Sequence, residues 1–207
     1  MSAGTVAGPV ADAPARMAVV AMAGAGQLAQ MTHQAAISLG VGLRVLGGGE
    51  ADCAVAAGAP ALIASRPGRA ELEALAAGAD VLTFDNERFP PDVLAALERD
   101  GVRLAPTAAA QLFAQDKLHG RRRLRELGFA VPPFAHVQTE AEIDEFAERH
   151  GWPLVGKAAR GGYDGRGVFP LADRAAAAAA LRRAPGGLLV EPRLPIEREL
   201  AVLLART

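Results

Sequence analysis

Residues 17–29 have the sequence MAVVAMAGAGQLA, in which a short apolar run is followed by two closely spaced glycines. An apolar run of this length that ends in Gly24 and Gly26 is typical of a buried parallel strand leading through a turn into a helix. Strand, turn and helix in this order form the repeating unit of α/β proteins. The sequence therefore predicts that the fold begins with such a unit.

The same alternation continues along the chain as far as residue 104. The first helix is predicted by apolar positions at near-helical spacing and by a glycine suited to its C-terminal cap, namely Leu28, Met31, Ala35, Leu39 and Gly40. Further strands are expected at 43–46, 80–84 and 102–104, and further helices at 70–77 and 91–99. This order predicts a parallel sheet covered by helices.

A second unit is expected after the linker Val131-Pro132-Pro133. Between Pro106 and this linker, residues 107–127 predict one long helix that stops at Gly128. The later elements are expected to be a helix that begins with a capping box formed by Thr139 and Glu142, strands at 153–157, 188–191 and 200–205, a glycine-rich loop at 161–167, and a helix capped by Asp173 that runs to residue 184.

Composition and charge narrow the class of protein. The chain is 51% apolar and 22% charged with a net charge of −1, which is typical of a globular protein and indicates neither nucleic-acid binding nor a membrane span. We interpret the triplet Arg121-Arg122-Arg123 as a solvated helix face. The single Cys53 cannot form an intrachain disulfide, so a reducing, cytoplasmic location is expected. Residues 1–16 are expected to be a flexible tail.

The glycine turn at 24–29, GAGQLA, matches the pattern Gly-x-Gly-x-x-Gly/Ala, in which helix amides can approach a phosphate. A dinucleotide-binding fold would place an acidic residue ~20 positions later, at the end of the second strand. Here Leu46 is followed by three glycines, and Glu50 comes late. Dinucleotide binding and a tight turn without a ligand both remain open interpretations of this motif.

The sequence KAARGGYDGRG at 157–167 combines four glycines with flanking cations. Glycines allow a loop to fold over phosphates with its amides free to donate, while Lys157 and Arg166 supply positive charge. The loop lacks the Gly-Lys-Ser/Thr ending of a P-loop, and a β-hairpin turn with solvated charges is the alternative. Farther on, Glu191 ends one apolar strand and Glu199 begins another. Such carboxylates could accept hydrogen bonds from ribose hydroxyls, or could simply be surface charges.

Together these segments resemble the ATP-grasp carboxyaminoimidazole ribonucleotide synthases from residue 17 to residue 206. The resemblance is carried by the ordered motifs GQLAQM at 26–31, DVLTFDNE at 80–87, QDK at 115–117, GGYDGRG at 161–167 and EREL at 197–200. The combination of the Gly-Tyr-Asp loop with the Gly-Gln-Leu turn is fairly specific to this family among ATP-grasp relatives.

The resemblance implies an α/β fold with a defined order of domains. Residues 17–106 would form a pre-ATP-grasp parallel-sheet domain, residues 107–130 a connecting helix and linker, and residues 131–207 a partial ATP-grasp domain with the small lid and the hinge. The large C-terminal half of the ATP-grasp fold is expected to be missing.

The resemblance also implies a set of site residues. ATP would be bound by Lys117, Lys157, Gly162, Tyr163, Asp164, Gly165, Arg166, Gly167, Glu191, Leu194 and Glu199. Within that set Lys157 and Arg166 would be catalytic. Glu191 and Leu194 would line the adenine hinge, and Glu199 would hold the ribose. The ribonucleotide substrate would be contacted by Gly26, Gln27, Leu28, Glu87 and Tyr163.

The implied reaction is the ATP-dependent carboxylation of 5-aminoimidazole ribonucleotide in purine biosynthesis. Bicarbonate would attack the γ-phosphate of ATP, and the exocyclic amine of the ribonucleotide would capture the carboxyl group of the resulting carboxyphosphate. The Mg²⁺ ligands are expected beyond Thr207, so the chain alone is expected not to complete the reaction. The family is compatible with a homodimer at full length.

Two departures from the family pattern bear on the substrate contacts. Gln30 stands where the family usually has arginine, and the sequence DNER at 85–88 replaces a more usual Glu-Phe-Glu-Asn. Two further interpretations of the chain stay open. One is another ATP-grasp carboxylase or ligase, and the other is a nucleotide-binding module without turnover.

Overall fold

The computed structural model describes residues 16–161 and 167–203. The chain divides into two compact units, Met1–Ala108 and Ala109–Thr207. The predicted tail lies outside the described residues except for Arg16. The assignment of residues 107–130 as the connection between two domains stays a prediction.

The first unit is built on a parallel sheet. Its strands are β1 Val19–Ala23, β2 Gly42–Gly47, β3 Ala61–Ile63 and β4 Val81–Phe84, and its helices are α1 Gln27–Leu39, α2 Cys53–Ala56, α3 Arg69–Ala76 and α4 Pro91–Arg99. The strand order is β3-β2-β1-β4, with every pairing parallel. The predicted strand at 102–104 is reduced to a single parallel bridge between Leu104 and Leu82.

Both faces of this sheet are buried, because successive residues of β1 enter two different apolar clusters. Ala21 and Ala23 pack in a cluster that includes residues of α3 and α4, whereas Met22 packs in a cluster that includes residues of α1 and α2. A strand covered on both sides needs apolar residues at every position, which explains the unbroken apolar run that begins the sequence pattern.

Helix α1 begins and ends where the sequence predicts, and Gly40 forms its left-handed C-terminal cap with φ 64°. The large apolar residues whose spacing predicted this helix are not the ones that it buries. Ala29 and Ala36 are the buried residues, whereas Leu28, Met31 and Leu39 are each more than half exposed. Small side chains let the helix approach the sheet closely, so its packed face carries alanines and its larger apolar residues face outward.

In the second unit, the predicted helix over 107–127 is two helices, α5 Ala108–Gln115 and α6 Lys117–Glu126. Asp116 separates them because its backbone is extended, with φ −129° and ψ 102°. Its side chain accepts a hydrogen bond from the His119 amide at 2.9 Å, which caps α6. The prediction of one helix was wrong because this local capping bond competes with helix continuation.

An antiparallel sheet forms the rest of the second unit. Its strands are β5 Ala135–Val137, β6 Leu154–Ala158, β7 Val168–Leu171 and β8 Leu188–Pro192, in the order β5-β8-β6-β7, with helices α7 Glu140–His150 and α8 Arg174–Arg183. The predicted capping box of Thr139 and Glu142 and the predicted cap at Asp173 are confirmed. The sequence prediction missed α2, β3, β5 and β7.

One face of this sheet packs on α7 and α8, and the other does not. Leu188 and Val190 of β8 lie in the apolar cluster with residues of both helices. A Cβ atom on Gly156 would lie 3.1 Å from side-chain atoms of Leu171 and Leu188, so Gly156 also faces the helices. Because side chains alternate along a strand, Lys157 and Glu191 project from the opposite face.

The strand predicted at 200–205 is wrong over its described part. Residues 200–203 have no regular structure, and Leu200, Val202 and Leu203 are 83%, 78% and 95% exposed. Apolar sequence alone does not form a strand, and no strand among the described residues pairs with this segment. No helix in the described ranges is both long and apolar enough for a membrane crossing.

Candidate functional site

The glycine turn of the first unit opens a cavity of about 610 Å³ at the carboxyl ends of β1, β2 and β4. Open parallel sheets commonly bind ligands at this edge. The lining includes the predicted substrate residues Gly26, Gln27 and Leu28. Their predicted contacts with the substrate stay predictions.

Asp85 fills the space above the turn. Its carboxylate accepts hydrogen bonds from the Gly26 amide at 3.1 Å and from the Asn86 side chain at 2.6 Å. Gly24 has φ 126°, and a Cβ atom added there would lie 1.6 Å from Asp85 Oδ1. The missing side chain at Gly24 is therefore what makes room for the carboxylate beside the N-terminus of α1.

The sequence interpretation placed Glu87, rather than Asp85, in this crevice. Asp85, Asn86 and Arg88 line the cavity, and the half-buried Glu87 is absent from that lining within the described residues. The glycine turn after β1 and residues 85–88 after β4 do lie side by side, because β1 and β4 pair in one sheet. Asp85 could have been found from its position directly after β4. The role of Glu87 stays a prediction.

The second unit contains a buried carboxylate between two cations. Glu191 is 3% exposed, and its Oε1 accepts a hydrogen bond from Arg121 Nε, while its Oε2 accepts one from Lys157 Nζ. Burial alone would raise the pKa of Glu191, but the hydrogen bonds and charges of Arg121 and Lys157 outweigh burial and lower the pKa below its ordinary value. Glu191 therefore stays ionised.

Arg121 corrects the interpretation of the arginine triplet. Arg122 and Arg123 are exposed as expected, but the side chain of Arg121 is only 28% exposed because it reaches Glu191. The two partners are 70 residues apart in sequence, so no local pattern reveals the contact.

A second ion pair ties the start of α6 to the end of β6. The Asp116 carboxylate accepts a hydrogen bond from Arg160 Nε at 2.9 Å, and the Lys117 amide donates to the Ala159 carbonyl at 2.9 Å. Burial raises the pKa of Asp116, but the hydrogen bonds from the His119 amide and from Arg160 give a net lowering. Lys117 is thus held beside the base of the glycine-rich loop.

The base of that loop is closed by a hydrogen bond from the Ala158 amide to the Gly167 carbonyl at 2.7 Å. Gly161 and Gly167 have φ values of 75° and 77°, which residues with side chains rarely adopt. The predictions for Gly162, Tyr163, Asp164, Gly165 and Arg166 fall outside the described residues.

Two family models match the chain. The ribonucleotide synthetase preATP-grasp domain matches residues 17–115, and the ATP-grasp domain matches residues 122–207. The chain thus resembles the ATP-grasp family in both matched regions. It is 50% identical over 192 residues to the N5-carboxyaminoimidazole ribonucleotide synthase of Mycobacterium tuberculosis H37Rv, covering 91% of this chain and 45% of that protein.

Other ATP-grasp relatives agree with this match. The synthase of the same name from Corynebacterium ammoniagenes is 39% identical, with 96% of this chain and 49% of that protein covered. The structure of N5-carboxyaminoimidazole synthetase from Staphylococcus aureus complexed with ADP gives a TM-score of 0.78 at 27% identity, covering 87% of this chain and 48% of that one. The chain spans about half the length of the curated relatives that it matches.

The remaining ATP-grasp positions lie after β8. Leu194 and Glu199 are exposed and belong to a segment without regular structure, so their predicted contacts with adenine and ribose stay predictions. No group of three or more His, Cys, Asp or Glu side chains within 16–161 and 167–203 is placed to hold a metal ion. These described residues therefore do not fit a Mg²⁺ site.

Proposed function

We propose that these two units belong to an enzyme that carboxylates 5-aminoimidazole ribonucleotide with bicarbonate and ATP, releasing ADP and phosphate, in purine biosynthesis. The observation that carries the proposal is the buried Glu191 with its two cations, on the face of the antiparallel sheet opposite α7 and α8. The identity to N5-carboxyaminoimidazole ribonucleotide synthases supports the choice of substrate.

In the second unit, ATP would bind against the face that carries Lys157. Lys157 precedes the glycine-rich loop by four residues, so its ammonium group and the loop amides would meet the same phosphates. Lys117, held beside the loop base, would add a second positive charge. Lys157 and Arg166 would then oppose the negative charge on the triphosphate while bicarbonate attacks.

In the first unit, the ribonucleotide would occupy the cavity at the glycine turn. Asp85 and the amides near Gly26 offer fixed acceptors and donors there, and Gln27 and Glu87 are proposed as further contacts. The role of this unit would be to hold the exocyclic amine where it can capture the carboxyl group. Such positioning can supply a large share of the rate enhancement.

Nucleotide binding tests the proposal for the second unit. We expect Lys157→Ala to weaken ADP and ATP binding by roughly tenfold, because a charge-assisted contact with phosphate is lost. Isothermal titration calorimetry with the folded variant measures the change. Arg149→Ala is the control, since Arg149 forms an exposed ion pair with Glu145 on α7. Equal affinity of wild type and Lys157→Ala would remove Lys157 from the site.

Substrate-dependent phosphate release tests the reaction. We expect a complete enzyme that includes these two units to release phosphate from ATP only when bicarbonate and 5-aminoimidazole ribonucleotide are both present. ATP binding combined with phosphate release that depends on a different acceptor would assign the chain to another ATP-grasp ligase. ATP binding without release under any acceptor would support a binding module instead.

A further inference from the structure

Glu191 is shared between two cations, one on each carboxylate oxygen, and this sharing is more than the folded state requires. A buried carboxylate needs one well-placed cation to be neutralised, and here Arg121 and Lys157 both reach it. The three side chains together carry a net charge of +1. The cluster therefore has one cation in excess of its anion.

The two cations are placed differently. Arg121 lies on α6, and its guanidinium is planar and permanently charged, which suits a fixed partner for a carboxylate. Lys157 lies on β6 four residues before the glycine-rich loop, and its side chain is 24% exposed. An ammonium group on a flexible stem is the cation that can turn to another anion.

We propose that Arg121 is a positioning residue that holds Glu191 so that Lys157 can leave this carboxylate for an anionic group of the ligand. The choice of ADP or ATP phosphates as this anionic group rests on the function proposed above. When Lys157 turns away, Glu191 keeps Arg121 as its partner and is never left buried without a cation. Without Arg121, the same movement would leave the buried Glu191 carboxylate without either cation.

This role of Arg121 predicts a different pattern of nucleotide binding from the one that a simple structural ion pair predicts. In Arg121→Gln, Glu191 has Lys157 as its only cation among the three and holds it more tightly, so nucleotide binding weakens. Adding Glu191→Gln to Arg121→Gln removes the carboxylate that traps Lys157, so binding recovers. A merely structural role of Arg121 predicts that the double variant is no better than Arg121→Gln.

Calorimetric titration with ADP separates the two cases. We expect Arg121→Gln to bind roughly tenfold more weakly than wild type, and Arg121→Gln/Glu191→Gln to recover to within roughly threefold of Glu191→Gln alone. Arg123→Gln is the matched control, because Arg123 lies on the same helix and pairs with Glu126 at the surface. A double variant as weak as Arg121→Gln overturns the proposal.

A second measurement does not need the nucleotide. The chain contains two lysines, Lys117 and Lys157, so acetylation by acetic anhydride can be followed at each one by mass spectrometry, with Lys117 as internal reference. We expect Lys157 to react more slowly in Arg121→Gln than in wild type, and faster in Glu191→Gln, because an amine that is held more tightly by the carboxylate is less available to the reagent. Unchanged or faster reaction in Arg121→Gln overturns the proposal.

The two measurements distinguish failure of the proposed nucleotide site from failure of the proposed role of Arg121. If wild type does not bind ADP, the proposed function of this face fails, and the acetylation rates alone decide whether Arg121 limits the hold of Glu191 on Lys157. If wild type binds ADP and the acetylation rates do not change, the nucleotide site stands and the role of Arg121 is wrong.

Discussion

Asp85 in the first unit and Glu191 in the second are both carboxylates near the ends of strands, but they are stabilised by different means. Asp85 accepts from a backbone amide and a neighbouring side-chain amide, and it depends on the missing side chain of Gly24. Glu191 depends on two cations that come from α6 and β6. The first arrangement is made by backbone geometry and space, and the second is made by charge.

This difference predicts where each site is fragile. A site made by backbone geometry should fail when space is filled, and should tolerate loss of distant charges. A site made by charge should fail when its cations are removed together, and should depend on pH. The following three predictions test this contrast, from the largest expected effect to the smallest.

Removing both cations should have the largest effect. Arg121→Met/Lys157→Met leaves Glu191 buried without either partner, and we expect a loss of about 4 kcal/mol in the free energy of unfolding, more than the sum of the two single variants. Urea unfolding measures it. Adding Glu191→Gln should restore most of the loss. The surface variant Arg123→Met/Arg149→Met should change stability by less than about 1 kcal/mol. Additive single effects would show that Glu191 does not need a cation.

Filling the space at the glycine turn should cause the second-largest loss of stability. Gly24→Ala combines a positive φ with a Cβ atom 1.6 Å from Asp85 Oδ1, and we expect a loss of about 3 kcal/mol. Gly40→Ala is the matched control, since Gly40 also has a positive φ but has nothing within 4 Å of the added Cβ atom. It should lose only about 1 kcal/mol. Equal losses in the two variants would show that Asp85 moves aside at no cost.

The pH dependence of stability should show the smallest effect. The folded-state pKa of Glu191 is lowered from its ordinary value of 4.5, so its contribution is fully present above that pH and is lost as the pH falls through the lowered pKa. Wild type should therefore lose more stability than Glu191→Gln in the acid range below pH 4.5. Urea unfolding at a series of acidic pH values measures the difference. Parallel losses in both proteins would contradict the prediction.

The sequence predicted most of the elements because turns and caps are local signals. Gly40, Thr139 and Asp173 mark helix ends, and each lies where expected. It did not predict the packed face of α1, since the spacing of large apolar residues says nothing about which face can approach a sheet. Nor did it predict the break at Asp116, whose capping role competes with an otherwise helical sequence.

The candidate sites were predicted less completely than the fold. Lys157 was identified from the glycine-rich loop and Glu191 from its place at a strand end, both supported by the resemblance, whereas Arg121, Asp116 and Asp85 were not assigned to a site. Their contacts join residues 70, 44 and 59 positions apart, so they depend on the completed fold. Side-chain type alone cannot reveal such a contact, because an arginine on a helix is usually solvated.

The pairing of β6 with β8 has a consequence for folding. In the observed register Lys157 lies opposite Leu189 and Val155 lies opposite Glu191, which puts the ammonium and the carboxylate diagonally across one face. A slip of one residue in either strand would turn its charged side chain toward α7 and α8, among Leu188 and Val190, where an ion without a partner is costly. The observed alignment thus places both charges on one face, where the buried Glu191 has its cations, and this favours the observed register over a one-residue slip.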